Sequence, residues 1–179
     1  MGAIPFRMEP ADTTFAEELF QLIDQSREHL RKWLAWVDGV ESPEDTRQYL
    51  EGAAEQALGG LGCNYVIISG GRAAGVAGFH PVDLRNRNAE LGYWLGSGYT
   101  GMGLATLAVK ELLREGFHEM GLNRIEIRCA SGNLPSIAVA RRAGLVYEGT
   151  LREEELLYGA YVDHDVYSIL KREFCIGTD

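Results

Sequence analysis

A glycine-rich turn in the middle of the chain has the composition of a phosphate-binding loop. The apolar and aromatic run 91–95 predicts a strand, and a helical pattern of apolar residues begins at Leu104. Between them lie glycines, which permit backbone conformations that other residues avoid: Gly96, Gly98, Gly101 and Gly103. A helix N-terminus binds phosphate because its first backbone N–H groups are unpaired and its dipole is positive there. We therefore expect a nucleotide-like ligand at this turn; a plain glycine-capped turn is the alternative.

The pattern of the turn excludes two common nucleotide motifs and resembles a third. The dinucleotide pattern G-x-G-x-x-G fails because Thr106 follows Gly101 and Gly103 at its third position, and the Gly-Lys-Ser/Thr ending of the P-loop is missing. The turn resembles the pyrophosphate loop of the GNAT acetyltransferase superfamily, written Q/R-x-x-G-x-G/A. Gly103 and Ala105 match this loop, and Thr100 stands where Gln or Arg is usual.

A second segment, beginning at Asn133, resembles the N-x-x-S-x-x-x-x-x-K-x-G-F signature of one GNAT branch. Asn133, Ser136 and Gly144 match the signature, whereas Arg142 replaces its Lys and Leu145 replaces its Phe. This branch contains the bacterial ribosomal-protein N-terminal acetyltransferases. The segments HLRKWLAWVD and LLYGAYVDHDVYSIL also resemble it, so the similarity spans most of the chain.

The resemblance implies acetyl-CoA as the cofactor. It implies that the backbone of 102–106 binds the pyrophosphate, that the strand edge 93–95 pairs with pantetheine and offers an N–H to the thioester oxygen, and that Asn133 anchors pantetheine. Arg141 or Arg142 would reach the phosphate end. The implied cofactor residues are Tyr93, Trp94, Leu95, Gly101, Met102, Gly103, Leu104, Ala105, Thr106, Asn133, Ser136, Arg141 and Arg142. The alternatives are a core position for the tryptophan and a solvated helix face for the arginines.

Acetyl transfer from a thioester to an amine also needs a neutral amine, a polarised carbonyl and protonation of the departing thiolate. The resemblance implies Ser136 as the general acid. Many members use a Tyr seven residues after the signature Asn, and that position is Ala140 here. The resemblance favours Glu155, on a late strand, as the general base, with Glu90 at the mouth of the central strand as second choice. Either carboxylate could instead be a solvated strand-end charge.

The resemblance implies that the acceptor is the N-terminal α-amine of a ribosomal protein. Such an amine has a pKa of about 8 against about 10.4 for Lys, so it loses its proton more readily near neutral pH. By resemblance, Trp33 and Trp36 wall the acceptor pocket, although paired tryptophans on a helix are also typical of a core. The alternatives are a small-molecule amine, such as a polyamine or an aminoglycoside, and a catalytically weak acyl-CoA-binding module, which Thr100 suggests.

The rest of the sequence predicts one α/β domain over residues 1–179, with a mixed, strongly twisted and splayed GNAT-type sheet and helices on both faces. Strands are expected at Ile4–Met8, 65–68, 74–80 (ended by Pro81), 91–95 and 124–129, and as two long strands over 145–170 turned at Tyr158 and Gly159. Helices are expected after the caps Asp12–Thr14, at Arg27–Trp36, from Ser42 to Leu58, from Leu104 and at 135–143.

Composition limits the remaining classes of function. A net charge of −9 argues against a nucleic-acid partner, and no apolar run reaches the roughly 20 residues of a membrane span. The N-terminus lacks a signal segment, so we expect a soluble cytoplasmic protein. Scattered histidines and the isolated Cys63, Cys129 and Cys175 predict neither a metal site nor disulfides. A homodimer through the late strands is expected from the resemblance and from the exposed edge of such a sheet.

Overall fold

The computed structural model describes residues 5–60 and 62–174, whose strands form one seven-stranded sheet. The strands are β1 (Phe6–Pro10), β2 (Asn64–Ser69), β3 (Arg72–Asp83), β4 (Asn88–Leu95), β5 (Arg124–Ala130), β6 (Val146–Leu157) and β7 (Ala160–Leu170). The helices are α1 (Ala16–Leu30), α2 (Pro43–Leu58), α3 (Leu104–His118) and α4 (Leu134–Arg142). The strand order is β1-β2-β3-β4-β5-β7-β6. Only β4 and β5 pair in parallel, so the sheet is mixed as expected.

Helices cover both faces of the sheet. Ile67 of β2 packs in a cluster with side chains of α3 such as Leu112. Its neighbour Val66 points to the other face, where it packs with Leu19 of α1 and Leu50 of α2. Successive strand residues therefore enter separate cores, as the alternation of a strand requires.

The sheet opens between β4 and β5. Their parallel pairing covers Asn88–Glu90 and Arg124–Glu126, after which β4 continues to Leu95 and β5 to Ala130 without pairing to each other. Within the described residues, the edges that β4 and β5 turn toward each other have no sheet partner from Leu91 onward on β4 and from Ile127 onward on β5. This is the splay that the resemblance predicts, and it leaves backbone groups available to a ligand.

Local sequence signals explain several of the element boundaries. The Asp12 carboxylate accepts a hydrogen bond from the Thr14 N–H at the entry to α1. Ser42 and Asp45 form a capping box at α2. Tyr158 and Gly159 both have positive φ, which is the geometry of a two-residue turn between antiparallel strands, so the predicted late hairpin is confirmed.

Two predicted boundaries are wrong. Arg27–Trp36 is not a separate helix, because α1 runs unbroken to Leu30 and the chain then reverses into a 3-10 turn at Ala35–Gly39. The reversal is held by Arg27, whose guanidinium donates to the carbonyl oxygens of Val37 (2.9 Å) and Val40. Leu30 and Val37 are consequently buried in one cluster.

Strand β3 also does not end at His80. It runs to Asp83 because a register shift between His80 and Val82 absorbs the irregularity before pairing resumes at Val82 and Ala89. At the start of the chain the first strand is confirmed at Phe6–Pro10, while Ile4 and Cys175 lie outside the described residues.

Candidate active site

A cavity of about 220 Å³ lies where the free end of β4 meets the N-termini of α3 and α4. It brings together predicted cofactor residues that are far apart in the chain, and Trp33 joins them. The predicted residues that line it are Trp33, Tyr93, Trp94, Leu95, Gly101, Gly103, Leu104, Ala105, Thr106, Asn133, Ser136 and Arg142. The other predicted site residues, Trp36, Glu90, Met102, Arg141 and Glu155, lie outside its lining.

The turn before α3 has the backbone geometry of an anion site. Gly101 and Gly103 have φ of 75° and 80°, a left-handed conformation that strains any other residue type. Gly103 is the N-cap of α3 and supplies no side chain to its first N–H groups. No heavy atom beyond the chain neighbours of either glycine lies within 4 Å of an added Cβ, so the space above the turn is open. Both features suit a phosphate group.

The Ser136 hydroxyl is held by a tyrosine that sequence reasoning assigned only to the strand edge. The Tyr93 hydroxyl lies 2.8 Å from the Ser136 Oγ, and burial raises the pKa of Tyr93, so it stays protonated. Asn133 caps α4 by accepting from the Ser136 N–H at 3.2 Å, which fixes the serine at the cavity. Ala140, at the position where the resemblance leads one to expect a Tyr, is fully buried. A phenol therefore reaches this serine from β4 and not from the helix.

The two adjacent arginines of α4 point in different directions. Arg142 lines the cavity, and its Nη1 lies 3.5 Å from the Thr106 Oγ1. Arg141 lies over the ring of Tyr167 and donates to its hydroxyl at 3.3 Å. Consecutive helix positions are about 100° apart, and this rotation directs Arg142 to the cavity and Arg141 to β7.

The Glu155 carboxylate is paired with a histidine. His164 Nε2 lies 3.1 Å from Glu155 Oε2, across the β6–β7 hairpin. A register shift between Leu151 and Glu155, with Glu153 at φ 53°, changes the direction of the β6 side chains just before Glu155. Sequence reasoning missed the histidine because an irregularity of this kind breaks the strand alternation that would have revealed the pair.

Glu90 lies on the same face of β4 as Trp94, which packs against the layer of α1 and α2. Its Oε2 is 3.5 Å from the Arg128 Nε. Burial raises the pKa of Glu90; nearby Arg128 lowers it, and Glu126 and Glu154 add to the rise. His164 pairs with Ala130, which lies two residues from Arg128 on β5. Glu90 and Glu155, which contact Arg128 and His164, therefore lie on the same face of the sheet.

Trp36 borders a second cavity, of about 520 Å³, between β4 and the layer of α1 and α2. The Trp36 and Trp94 rings are 5.9 Å apart, and Leu34, Tyr93 and Trp94 line both cavities. Trp33 and Trp36, the predicted walls of the acceptor pocket, therefore line different cavities, which are separated by Leu34, Tyr93 and Trp94.

Comparison with known proteins identifies the family. Residues 6–146 match the acetyltransferase (GNAT) domain. The chain belongs to the GNAT acetyltransferase family. As a member, it is an acetyl-CoA-dependent N-acetyltransferase.

Relatives of this acetyltransferase cover nearly its whole length. YdaF of Bacillus subtilis (strain 168) is 34% identical over 168 residues, which cover 93% of this chain and 90% of YdaF. The ribosomal-protein-serine acetyltransferase of Escherichia coli (strain K12) is 33% identical over 150 residues, 84% of each chain. The structure of RimL, a ribosomal-protein α-N-acetyltransferase in complex with coenzyme A, is 29% identical with a TM-score of 0.89, covering 94% of this chain and 98% of RimL.

The residues around this cavity suit acetyl-CoA. The uncapped N-terminus of α3 suits the pyrophosphate, Arg142 adds a cation, and the free edge of β4 offers backbone partners to an amide-containing arm. Among the described residues, no helix is long and apolar enough to cross a membrane, and no cluster of three His, Cys, Asp or Glu side chains could hold a metal ion.

Proposed function

We propose that this acetyltransferase modifies the N-terminal α-amine of a ribosomal protein. The observation that carries the proposal is that Tyr93 on β4, a strand that borders the splay, holds the Ser136 hydroxyl of α4, while the β6–β7 hairpin beside β5 supplies the Glu155 carboxylate. The names of the E. coli relative and of RimL support this class of acceptor. An α-amine with a pKa of about 8 needs only a modest base, which a carboxylate can provide.

Acetyl-CoA supplies the thioester carbonyl that the amine attacks, and the chain holds the reactants. The N–H groups at the start of α3 and the Arg142 guanidinium bind the phosphates, and Asn133 with the free edge of β4 at Tyr93–Leu95 holds the pantetheine arm. An N–H of that edge would polarise the thioester carbonyl. Fixing both reactants in this way removes much of the entropic cost of reaction.

Ser136 acts as the general acid. As the new C–N bond forms and the C–S bond breaks, the Ser136 Oγ–H donates its proton to the departing thiolate. The Tyr93 hydroxyl, 2.8 Å away, donates a hydrogen bond to the serine oxygen as negative charge develops on it. Tyr93 is thus a positioning residue for the acid.

Glu155 takes the proton that the amine loses, either directly or through a water molecule. His164 orients the carboxylate at 3.1 Å. Glu90 is the second candidate, because its raised pKa brings it closer to the range in which a base works near neutral pH. The Arg128 contact favours the charged form of Glu90 and so keeps it able to accept a proton.

The acetyltransferase acts in the cytoplasm as a homodimer that pairs through the late hairpin. Strand β6 is an edge of the sheet, and the hairpin exposes large apolar side chains, namely Val146, Tyr147, Leu156 and Tyr161. Light scattering at working concentration is expected to give twice the chain mass; a monomer would contradict the proposal.

Thiol release from acetyl-CoA tests the function. Peptides with free N-termini are compared with the same peptides blocked at the N-terminus, with polyamines and with aminoglycosides. We expect release with free N-termini alone. Release with polyamines or aminoglycosides alone would assign a small-molecule acceptor, and cofactor binding without any release would indicate a binding module.

A further inference from the structure

His29 lines the cofactor cavity, and the reaction described above gives it no part. It is half-buried on α1 and shares the cavity with the turn residues Thr100, Gly101 and Gly103. Helix α1 and helix α4 lie on opposite faces of the sheet, so His29 approaches the turn from the side away from Arg142. Among the described residues that line the cavity, its ring is the only group that ordinarily titrates near neutral pH.

The packing of α1 directs this side chain toward the turn before α3. Leu22 fills the space in which a Cβ of Gly96 would lie, and the Ser26 Oγ accepts a hydrogen bond from the Ser97 N–H at 3.0 Å. Leu22, Ser26 and His29 are spaced i, i+4 and i+7, which places them on one face of the helix. As this face advances along α1, its contacts advance along the turn, so the His29 ring faces the end of the turn at the cavity.

The side chains of the turn offer little to an anion. The Thr100 hydroxyl donates a hydrogen bond to the Ser97 carbonyl oxygen at 3.0 Å, so its proton is used within the turn. In the described part of the chain, Arg142 is the only residue with a permanent charge that lines the cavity. A diphosphate at the N-terminus of α3 would therefore meet Arg142 on the α4 side and His29 on the α1 side.

The surroundings of His29 keep its ring neutral in the free enzyme. Burial, and after it the positive charge of Lys32 on the same helix, lower the pKa of His29. The other ionisable groups around the ring are Arg142 from α4, the Tyr93 hydroxyl from β4 and the Tyr99 hydroxyl from the turn. No carboxylate within residues 5–60 and 62–174 lines this cavity, so the protonated ring has no anionic partner there before an anion binds.

We propose that His29 binds the diphosphate of coenzyme A as an imidazolium, so that cofactor binding takes up a proton. The charged ring donates an N–H to a phosphate oxygen on the side where Thr100 supplies no donor. By linkage, the affinity is highest below the pKa of His29 in the free enzyme and falls as pH rises through the raised pKa of the complex. The inference rests on the placement of the diphosphate proposed above and not on the acceptor.

A histidine NMR titration measures the proposed protonation directly. The chain has four histidines, and the Cε1–H resonance that is missing from His29→Gln identifies this ring. We expect its pKa to rise by about one unit when dephospho-coenzyme A binds, which corresponds to a tenfold gain in affinity. This probe keeps the diphosphate and lacks the 3′-phosphate, whose own ionisation near pH 6 would add a second pH dependence.

Calorimetric titration at pH 5.5 and pH 8 measures the consequence for affinity. The wild type should bind dephospho-coenzyme A about tenfold more tightly at pH 5.5, and between its two pKa values it should take up about half a proton. His29→Gln should show the weaker affinity at both pH values and His29→Lys the stronger, because lysine stays charged throughout. His118→Gln, at the end of α3 and outside both cavities, is the matched control and should behave as the wild type.

Each outcome bears on the inference. An unchanged pKa of His29 on binding, or an equal pH dependence in the wild type and in His29→Gln, would overturn it. Weak binding by folded His29→Lys at both pH values would also overturn it, because the ring would then act by its shape and not by its charge. If a variant does not fold, assignment of the His29 resonance through the backbone keeps the wild-type titration decisive. These measurements use no acceptor, so a failure of the proposed function in the thiol-release assay leaves them unaffected.

Discussion

The Tyr158 hydroxyl donates a hydrogen bond of 2.9 Å to the carbonyl oxygen of Leu34, joining residues 124 positions apart. Tyr158 is at the tip of the β6–β7 hairpin, and Leu34 lies in the reversal after α1 and lines both cavities. The Arg31 guanidinium lies 4.4 Å from the centre of the Tyr158 ring, which adds a cation–π contact. The hairpin tip is thereby tied to the wall that the two cavities share.

Loss of the hydrogen bond between Tyr158 and Leu34 should weaken acceptor binding more than coenzyme A binding. In Tyr158→Phe the ring still lies beside Arg31, but the hydrogen bond to Leu34 is gone. We expect KM for a peptide acceptor to rise about fivefold, the effect of one hydrogen bond worth about 1 kcal/mol, with little change in kcat or in the Kd for coenzyme A. Steady-state kinetics and calorimetry measure these constants. An equal loss of coenzyme A affinity would show that the link supports the cofactor site instead.

The acid and its positioning residue should act as one unit. Ser136→Ala is expected to lower kcat by about 10² to 10⁴, the usual range for a general acid, and Tyr93→Phe by about tenfold through the lost hydrogen bond. In the double variant, Tyr93→Phe should add almost nothing to Ser136→Ala, because the tyrosine acts through the serine. Full additivity in single-turnover rates would refute this coupling.

The roles of the two carboxylates can be separated by kinetics. Glu155→Gln should lower kcat/KM by about 10² or more, whereas Glu90→Gln, which is close in shape and retains hydrogen-bonding capacity, should change it less than about fivefold. His164→Ala should lower kcat with less effect than Glu155→Gln, because it removes the partner of the base and not the base itself. The opposite ranking of the two glutamine variants would assign the base to Glu90.

The affinity for coenzyme A should depend on the turn before α3. Gly103→Ala places a side chain at φ 80°, which costs roughly 1–2 kcal/mol, and should weaken coenzyme A binding and lower the melting temperature. Thr100→Arg restores a residue usual in the family loop at a position that lines the cavity, and we expect tighter binding that weakens with added salt. Calorimetric titration at two salt concentrations measures both effects. Unchanged affinity in Thr100→Arg would show that Thr100 does not weaken coenzyme A binding relative to arginine.

The stability of the fold should respond to pH through Glu115 on α3, which accepts a hydrogen bond from the Tyr65 hydroxyl at 2.7 Å. Burial raises the pKa of Glu115 despite that hydrogen bond, so the folded protein binds the proton more tightly than the unfolded chain. This contribution to stability is complete below the ordinary glutamate pKa and is lost as pH rises through the raised value.

Glu115→Gln keeps an acceptor for Tyr65 and is neutral at every pH. We expect it to raise the melting temperature at pH 7.5 by about 2 °C, a shift typical of a change below 1 kcal/mol in a domain of this size. The gain should disappear near pH 4. The exposed Glu51→Gln on α2 is the control and should show no such pH-dependent gain. A gain that grew toward acid pH would contradict the raised pKa of Glu115 in the folded protein.

Local patterns were sufficient to predict the turn before α3, the caps and the late hairpin, because each depends on residues close together in sequence. The reversal after Leu30 was not predictable from helical periodicity, since Arg27 holds it by reaching forward to two carbonyl oxygens. The pairing of Tyr93 with Ser136, 43 residues apart, depends on how α4 docks against β4. Secondary-structure propensity is a local property and does not encode a contact between residues so far apart in the sequence.

The short pairing of β4 with β5 leaves a gap in the sheet. Asn88–Glu90 and Arg124–Glu126 form the parallel ladder, and the strands diverge beyond them. We expect a linear amide-bearing ligand between the diverging strands to take the place of a missing strand, so that ligand and backbone would become parts of one ladder. Amide hydrogens along the free edge of β4 will then exchange with deuterated solvent more slowly in the bound enzyme, and binding will raise the cooperativity of unfolding by joining the two halves of the sheet.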